Sequence, residues 1–179
     1  ILPVLYGNIL NQLVLLLKGQ SHIQEPLKKK NVTRIYNKSM KIKPVILCGG
    51  AGTRLWPKKK KHQAKQFIDF GGWSLIQKTL QRIKKPFFDN PIISTNLKYL
   101  KQVRKSLKKN KIKKYKIVLE PAKKNTAPAI LSSALIKDIP LEQPLMYFAA
   151  DHLIEKSNIL NRSIIKNKNN LDYQNIFIF

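Results

Sequence analysis

The chain has 179 residues, 43% of them apolar, which suits one domain with a hydrophobic core and is too short for two of ordinary size. It carries 35 Lys and Arg against 9 Asp and Glu, a net charge of +26 that is typical of proteins binding nucleic acids or anionic membranes. The lysines are scattered over every segment, however, and aromatic residues do not alternate with them as base stacking would require. We therefore interpret the charge as a compositional bias and expect no nucleic-acid partner.

The first 39 residues show no pattern that predicts chemistry. Residues 1–17 are the longest apolar run, but Asn8, Asn11 and Gln12 interrupt it, and a span needs roughly 20 apolar residues. The apolar residues between positions 4 and 17 are spaced as in an amphipathic helix. We interpret residues 1–39 as an extension of unknown role, foreign to the domain or poorly ordered. No membrane partner is expected, and the single cysteine, Cys48, fits a soluble cytoplasmic protein.

From residue 40 onward, predicted strands and helices alternate. Apolar runs predict strands at residues 44–48, 91–95, 116–119, 145–150 and 176–179. Helical spacing predicts helices at residues 74–83, 97–107, 126–136 and 159–166, with Ser74 as an N-cap and Pro128 in a first turn. This order predicts an α/β fold, a Rossmann-like, doubly wound and mostly parallel sheet with helices on both faces. The chain stops on a predicted strand, so we expect the domain to continue beyond residue 179.

A glycine-rich loop, GGAGTRLWP, follows the first predicted strand directly. Its glycines allow backbone N–H groups to approach a phosphate chain, and Arg54 adds a permanently charged donor. Lys65 is a second candidate cation. The loop is neither a Walker loop nor a dinucleotide fingerprint, but the combination predicts a phosphate site. The nucleotide-binding candidates in this loop and at the end of the strand before it are Leu47, Gly49, Gly50, Gly52 and Thr53.

A second candidate loop follows the strand predicted at residues 116–119. Glu120 could accept a hydrogen bond from an exocyclic amine, while Asn125, Thr126 and Ala127 could meet the same ligand. The alternative is that Asn125 or Thr126 merely caps the next helix and that Glu120 is a strand-end charge.

A third candidate, Asp151, stands at the tip of the strand predicted at residues 145–150. A carboxylate in that position is suited to hold Mg²⁺ against phosphate oxygens. Alternatively, Asp151 caps the following helix and His152 is a bystander.

The strings GGAGTRLWP, AKQF and EPxxxNTAPA, followed by Asp-His, resemble the signature of sugar-nucleotide pyrophosphorylases, and within them the mannose-1-phosphate guanylyltransferases. The resemblance covers roughly residues 41–179. Two departures are Lys59-Lys60, where the family usually has Ser-Arg, and Ala64, where it has Pro. The match of the helix predicted at residues 74–83 is interpreted as core packing.

The resemblance implies transfer of GMP from GTP to mannose 1-phosphate, giving GDP-mannose and pyrophosphate. It implies that Arg54 and Lys65 hold the triphosphate, that Asp151 holds Mg²⁺, and that the Glu120 loop lies beside guanine. It also implies that the sugar-binding segments and a second acidic ligand lie beyond residue 179, so residues 40–179 would form the N-terminal part of a nucleotidyltransferase domain. We expect this chain to bind GTP with Mg²⁺ and to turn over slowly or not at all.

Three alternatives stay open. One is a pyrophosphorylase for another pair, such as dTTP and glucose 1-phosphate. Another is a basic nucleic-acid-binding protein without catalysis, and the third is a non-functional remnant of a guanylyltransferase. Whether the chain forms a homo-oligomer is also open.

Overall fold

The computed structural model describes residues 4–6, 41–50, 64–121, 126–140, 143–168 and 177–178. The strands are β1 (Val4–Tyr6), β2 (Lys43–Leu47), β3 (Asp69–Phe70), β4 (Trp73–Ser74), β5 (Ile92–Asn96), β6 (Lys116–Glu120), β7 (Leu145–Ala149) and β8 (Phe177–Ile178). The α-helices are α1 (Leu75–Arg82), α2 (Leu100–Lys109), α3 (Thr126–Ala134) and α4 (Ser157–Asn167). Within these segments, none of the helices has both the length and the apolar character needed to cross a bilayer.

Six strands form one sheet in the order β6-β5-β2-β7-β1-β8. The four strands β6, β5, β2 and β7 are parallel, whereas β1 runs antiparallel to both of its neighbours. From β2 the chain builds β5 and β6 on one side and then returns to place β7 on the other. The predicted mostly parallel α/β sheet is therefore confirmed, and the strand order reverses between β2 and β7, where ligands bind in such sheets.

Neighbouring residues of the central strands point to opposite faces, and each face has its own core. Ile46 packs into the larger cluster, which includes side chains from α1, α2 and α4. Val45 packs into the smaller cluster, against which side chains of α3 lie. Strands buried on both faces produce the continuous apolar runs seen in the sequence.

The predicted helices are confirmed with small shifts at their ends. Ser74 is the N-cap of α1, and its backbone N–H donates to Gln77 Oε1 at 2.9 Å. The residues of α1 that match the family are buried, as expected of core packing. The second predicted helix begins with a 3₁₀ turn, Leu97–Tyr99, which is capped by Asn96, whose side chain accepts from the backbone N–H of Lys98 at 3.0 Å.

One part of the prediction was wrong and one element was missed. Val4–Tyr6 is a strand paired with β7 and not the start of a helix, since a short apolar run suits either structure until a partner strand is available. The last predicted strand is confirmed for its described residues, Phe177–Ile178, which pair antiparallel with β1. The hairpin of β3 and β4 was missed; its turn uses Gly71 and Gly72 at φ angles of 67° and 89°.

Candidate functional site

The carboxyl ends of β2 and β7 lie side by side, where the strand order reverses. Leu47 pairs with Ala149, and the backbone N–H of Ala150 donates to Leu47 O at 3.1 Å. The residues that follow these strands, Gly49 on one side and Asp151 on the other, therefore leave the sheet at the same edge. The loops after β2 and β7, which hold the first and third candidate sites, thus begin at one edge of the sheet.

A cation and a carboxylate meet at this edge. Lys65 Nζ lies 4.0 Å from Asp151 Oδ2, and their side chains are 26% and 38% exposed, respectively. Lys65 opens a short 3₁₀ helix, Lys65–Phe67, that packs against α1. The structure thus brings together two candidates that are distant in sequence. Because both side chains remain partly open to solvent, each can exchange its partner for a phosphate or a metal ion.

Gln66 connects the Lys65 helix to Gly49 and Gly50, the two glycines after β2, which we call the glycine turn. Its side chain is buried, and Nε2 donates to Gly50 O at 2.9 Å and to Cys48 O at 3.3 Å. The hydroxyl of Thr95 donates to the same Cys48 carbonyl at 3.3 Å. This role of Gln66 was not predicted, because its burial, which makes hydrogen-bond partners necessary, is visible only in the structure.

Glu120 lies at the same edge, as the last residue of β6. Its Oε1 accepts from Ser94 Oγ at 2.8 Å. A Cβ added to Gly49 would stand 2.5 Å from Glu120 Oε2. A side chain at position 49 would therefore have to displace this carboxylate. The approach of a phosphate chain to Gly49 stays a prediction. The role of Ser94 was also missed, although Ser94 and Thr95 are polar residues that follow the apolar part of this strand, and both are buried.

Two titratable side chains near this edge are held uncharged at neutral pH. Burial, with smaller contributions from the negative charges of Glu120 and Asp151, raises the pKa of Cys48 to about 12. Burial also lowers the pKa of His152, against the opposing effect of Asp151, whose Oδ1 lies 3.9 Å from His152 Nε2. Cys48 is consequently not a thiolate nucleophile, and Lys65 is the cation that the described residues place beside Asp151.

The remaining candidates divide into described and undescribed residues. Thr126 and Ala127 form the first turn of α3, and both are exposed. Four predicted site residues lie outside the described residues, namely Gly52, Thr53, Arg54 and Asn125.

The Asp151 carboxylate suits a magnesium ion that is held partly by the protein and partly by phosphate oxygens. Over the described ranges, no three His, Cys, Asp or Glu side chains converge as a complete metal cage. Mg²⁺ is commonly held by one or two carboxylates together with substrate phosphates, and Asp151 supplies hard carboxylate oxygens of this kind at the strand tip. The residues present therefore fit Mg²⁺ held jointly with phosphate oxygens.

The family model described as Nucleotidyl transferase matches residues 43–176. The chain belongs to the nucleotidyl transferase family. The match begins where β2 begins and covers the whole parallel part of the sheet. The glycine turn, Lys65, Glu120 and Asp151 thus all lie inside the nucleotidyl transferase region.

Curated relatives extend this assignment. The chain is 35% identical over 123 residues to the alginate biosynthesis protein AlgA of Pseudomonas fluorescens, covering 68% of this chain and 26% of the relative. It is 38% identical over 119 residues to mannose-1-phosphate guanylyltransferase 2 of Escherichia coli O157:H7, covering 64% and 25%. The nucleotidyl transferase chain thus spans about a quarter of the length of these relatives.

Solved structures agree on the fold. A protein named mannose-6-phosphate isomerase from Helicobacter pylori aligns with a TM-score of 0.55 and 30% identity, covering 72% of this chain and 46% of that one. A putative glucose-1-phosphate thymidylyltransferase from Bacillus anthracis aligns with a TM-score of 0.55 at 18% identity, covering 70% and 50%. The second likeness concerns the nucleotidyl transferase fold alone.

Proposed function

We propose that the chain is the nucleotide-binding part of an enzyme that transfers GMP from GTP to mannose 1-phosphate, giving GDP-mannose and pyrophosphate. The observation that carries the proposal is the Lys65–Asp151 pair beside the glycine turn, at the edge where the strand order reverses. Relatives that are 34–38% identical and named mannose-1-phosphate guanylyltransferase support the choice of nucleotide and sugar.

The reaction is an in-line displacement at the α-phosphorus of GTP. An oxygen of the sugar phosphate forms a bond to that phosphorus while the bond to the bridging α–β oxygen breaks, and the electron pair leaves with pyrophosphate. No proton needs to move, because the attacking phosphate is already ionised. Alignment and charge neutralisation therefore supply most of the catalysis.

In this proposal Lys65 and Arg54 hold the triphosphate. The Lys65 ammonium stabilises the charge that develops on the leaving pyrophosphate, and the turn at Gly49 and Gly50 admits the phosphate chain. Asp151 would hold Mg²⁺ jointly with phosphate oxygens, and the ion would supply neutralisation of phosphate charge and polarisation of the α-phosphate. By comparison with single-donor deletions in other enzymes, loss of Lys65 would slow the reaction by roughly 10²–10³.

Guanine is assigned to Glu120. Ser94 holds one carboxylate oxygen, and the other oxygen beside Gly49 is available to accept from the exocyclic amine of guanine. Leu47, Asn125, Thr126 and Ala127 complete the nucleotide-binding set that we propose. A base lacking that amine would leave the carboxylate without its partner, and unpaired polar groups of this kind give strong selectivity.

Isothermal titration of the chain with GTP and Mg²⁺ tests the phosphate part. We expect Lys65→Met and Asp151→Asn each to weaken binding about tenfold or more, since each removes a charged contact of about 1.5–3 kcal/mol. The Lys116–Asp138 ion pair is a matched control because it is the same pair of residue types on an exposed surface. If Lys116→Met and Asp138→Asn weaken binding as much, the assignment of the site is wrong.

Titration with GTP, ITP and dTTP tests the guanine part. We expect the chain to prefer GTP over ITP, which lacks the exocyclic amine, and Glu120→Ala to reduce that preference by about tenfold. Gly49→Ala should do the same, because its Cβ would displace the carboxylate, whereas a Cβ at Gly50 meets nothing within 4 Å and should leave the preference intact. Tighter binding of dTTP than of GTP would refute the choice of nucleotide.

A further inference from the structure

A cavity lies at the opposite end of the sheet from Lys65 and Asp151. It is a cavity of about 480 Å³, and its lining residues are Arg104, Lys108, Lys111, Ile112, Lys113 and Tyr115. Helix α2 follows the carboxyl end of β5 and runs back across the sheet, so that β6 starts with Lys116 paired to Ile92 at the amino end of β5. The cavity is therefore at the amino edge, away from the candidate nucleotide site.

The charge around this cavity is of one sign. Residues 97–119 contain ten Lys and Arg and no Asp or Glu. The carboxylates of Asp89, Asp138 and Asp151 form their ion pairs with Lys43, Lys116 and Lys65. In the part of the chain that the structure describes, no carboxylate pairs with the four cations of the cavity. Four cations that share one concave surface repel one another, and an anion in the cavity would relieve that repulsion.

The backbone at the cavity is adapted to present one of these cations. The N–H of Lys111 donates to Lys108 O at 2.9 Å, and the N–H of Ile112 donates to Leu107 O at 3.0 Å, the hydrogen bonds of a Schellman helix end. Lys111 occupies the left-handed position of this motif at φ 56°, where glycine or asparagine is usual. A strained residue that contributes a charge to a cavity is an indication of function.

We propose that this cavity binds the phosphate chain of a small oligophosphate. The four cations, Arg104, Lys108, Lys111 and Lys113, match the several closely spaced charges of such a chain. Ile112 and Tyr115 add an apolar wall for an organic group. A nucleic-acid strand is disfavoured, because a binding surface for successive bases needs several aromatic platforms and Tyr115 is the one aromatic residue of the lining. The proposal is independent of the reaction assigned to the other edge.

Titration of the chain with inorganic tripolyphosphate tests the cavity. We expect tripolyphosphate binding that survives Lys65→Met, and a loss of affinity for that binding of at least tenfold in the double variant Lys108→Gln/Lys111→Gln. The matched control is Lys156→Gln/Lys166→Gln, which removes the same charge from exposed positions at α4. The variant Lys108→Arg/Lys111→Arg should retain affinity because it keeps both charges.

Three results would overturn the proposal. Equal loss in the two glutamine variants would mean that only the net charge matters. Loss in Lys65→Met together with retention in Lys108→Gln/Lys111→Gln would place the oligophosphate at the nucleotide site. Binding of single-stranded DNA, but not of tripolyphosphate, in a manner sensitive to the Lys108 and Lys111 changes would show a nucleic-acid surface instead.

Discussion

Replacing Gln66 with leucine removes the two hydrogen bonds that connect the Lys65 helix to the glycine turn and to the end of β2. The Gln66 side chain is 3% exposed, and its amide donates to Gly50 O at 2.9 Å and to Cys48 O at 3.3 Å. Thr95 still donates to Cys48 O in the variant, so the Gly50 carbonyl is the group that loses its side-chain donor.

The stability change follows from these hydrogen bonds. Each buried hydrogen bond contributes about 0.5–1.5 kcal/mol, so two give about 1–3 kcal/mol, with the lower half expected because Cys48 O retains a donor. Affinity for GTP should fall as well, because the glycine turn must then be ordered by the nucleotide itself. An ordering cost of about 1.4 kcal/mol corresponds to a tenfold larger dissociation constant.

Urea unfolding and isothermal titration with GTP and Mg²⁺ measure the two effects of Gln66→Leu. The matched control is Gln81→Leu, the same change at an exposed position of α1. Gln66→Glu should be more harmful than Gln66→Leu, since it sets a carboxylate against carbonyl oxygens. If Gln66→Leu is no more destabilising than Gln81→Leu and leaves GTP affinity unchanged, Gln66 does not fix the turn.

Three further predictions concern the rest of the described chain. Lys111→Gly should raise the free energy of unfolding by about 1 kcal/mol in urea, because glycine adopts the left-handed position without strain. Burial alone raises the pKa of Asp89, but a hydrogen bond from Lys43 and others outweigh it and hold the pKa below 3.8. The stabilisation by Asp89 is therefore present above pH 3.8 and lost as the pH falls below it, so Asp89→Asn should flatten the acid limb of the stability curve measured by circular dichroism. Cys48, whose pKa is raised to about 12 by burial, should resist iodoacetamide at pH 8 until urea unfolds the chain.

The central strands could be predicted because their sequence signal is local. Val45 and Ile46 point to different cores, so both must be apolar, and the run ends where Gly49 must admit the Glu120 carboxylate. The polar residues after each run then predict the site, because parallel strands end at a common edge. Asp151 could be assigned to that edge by this reasoning without knowledge of any contact.

The hydrogen bonds of Gln66 and the outer strands could not be predicted in the same way. Gln66 has its role only because a loop between β2 and α1 returns to the end of β2, which no local pattern encodes. Val4 pairs with Tyr147 across most of the chain, and a three-residue run carries no signal for such a partner. The hairpin of β3 and β4 has strands of two residues each, too short for a period of two to appear.

The helix dipoles favour charges of opposite sign at the two edges of the sheet. Helix α3 begins at the carboxyl edge, where its positive N-terminal end favours phosphate, whereas α2 ends at the amino edge, where its negative C-terminal end favours cations. Part of the lysine charge near Lys108 therefore stabilises α2 irrespective of any ligand. The two contributions separate experimentally: a dipole effect lowers the stability of Lys108→Gln without tripolyphosphate, whereas a binding role appears as the loss of stabilisation when tripolyphosphate is added. The same comparison applies to Lys111, which lies directly beyond the end of α2 in a conformation that itself costs stability.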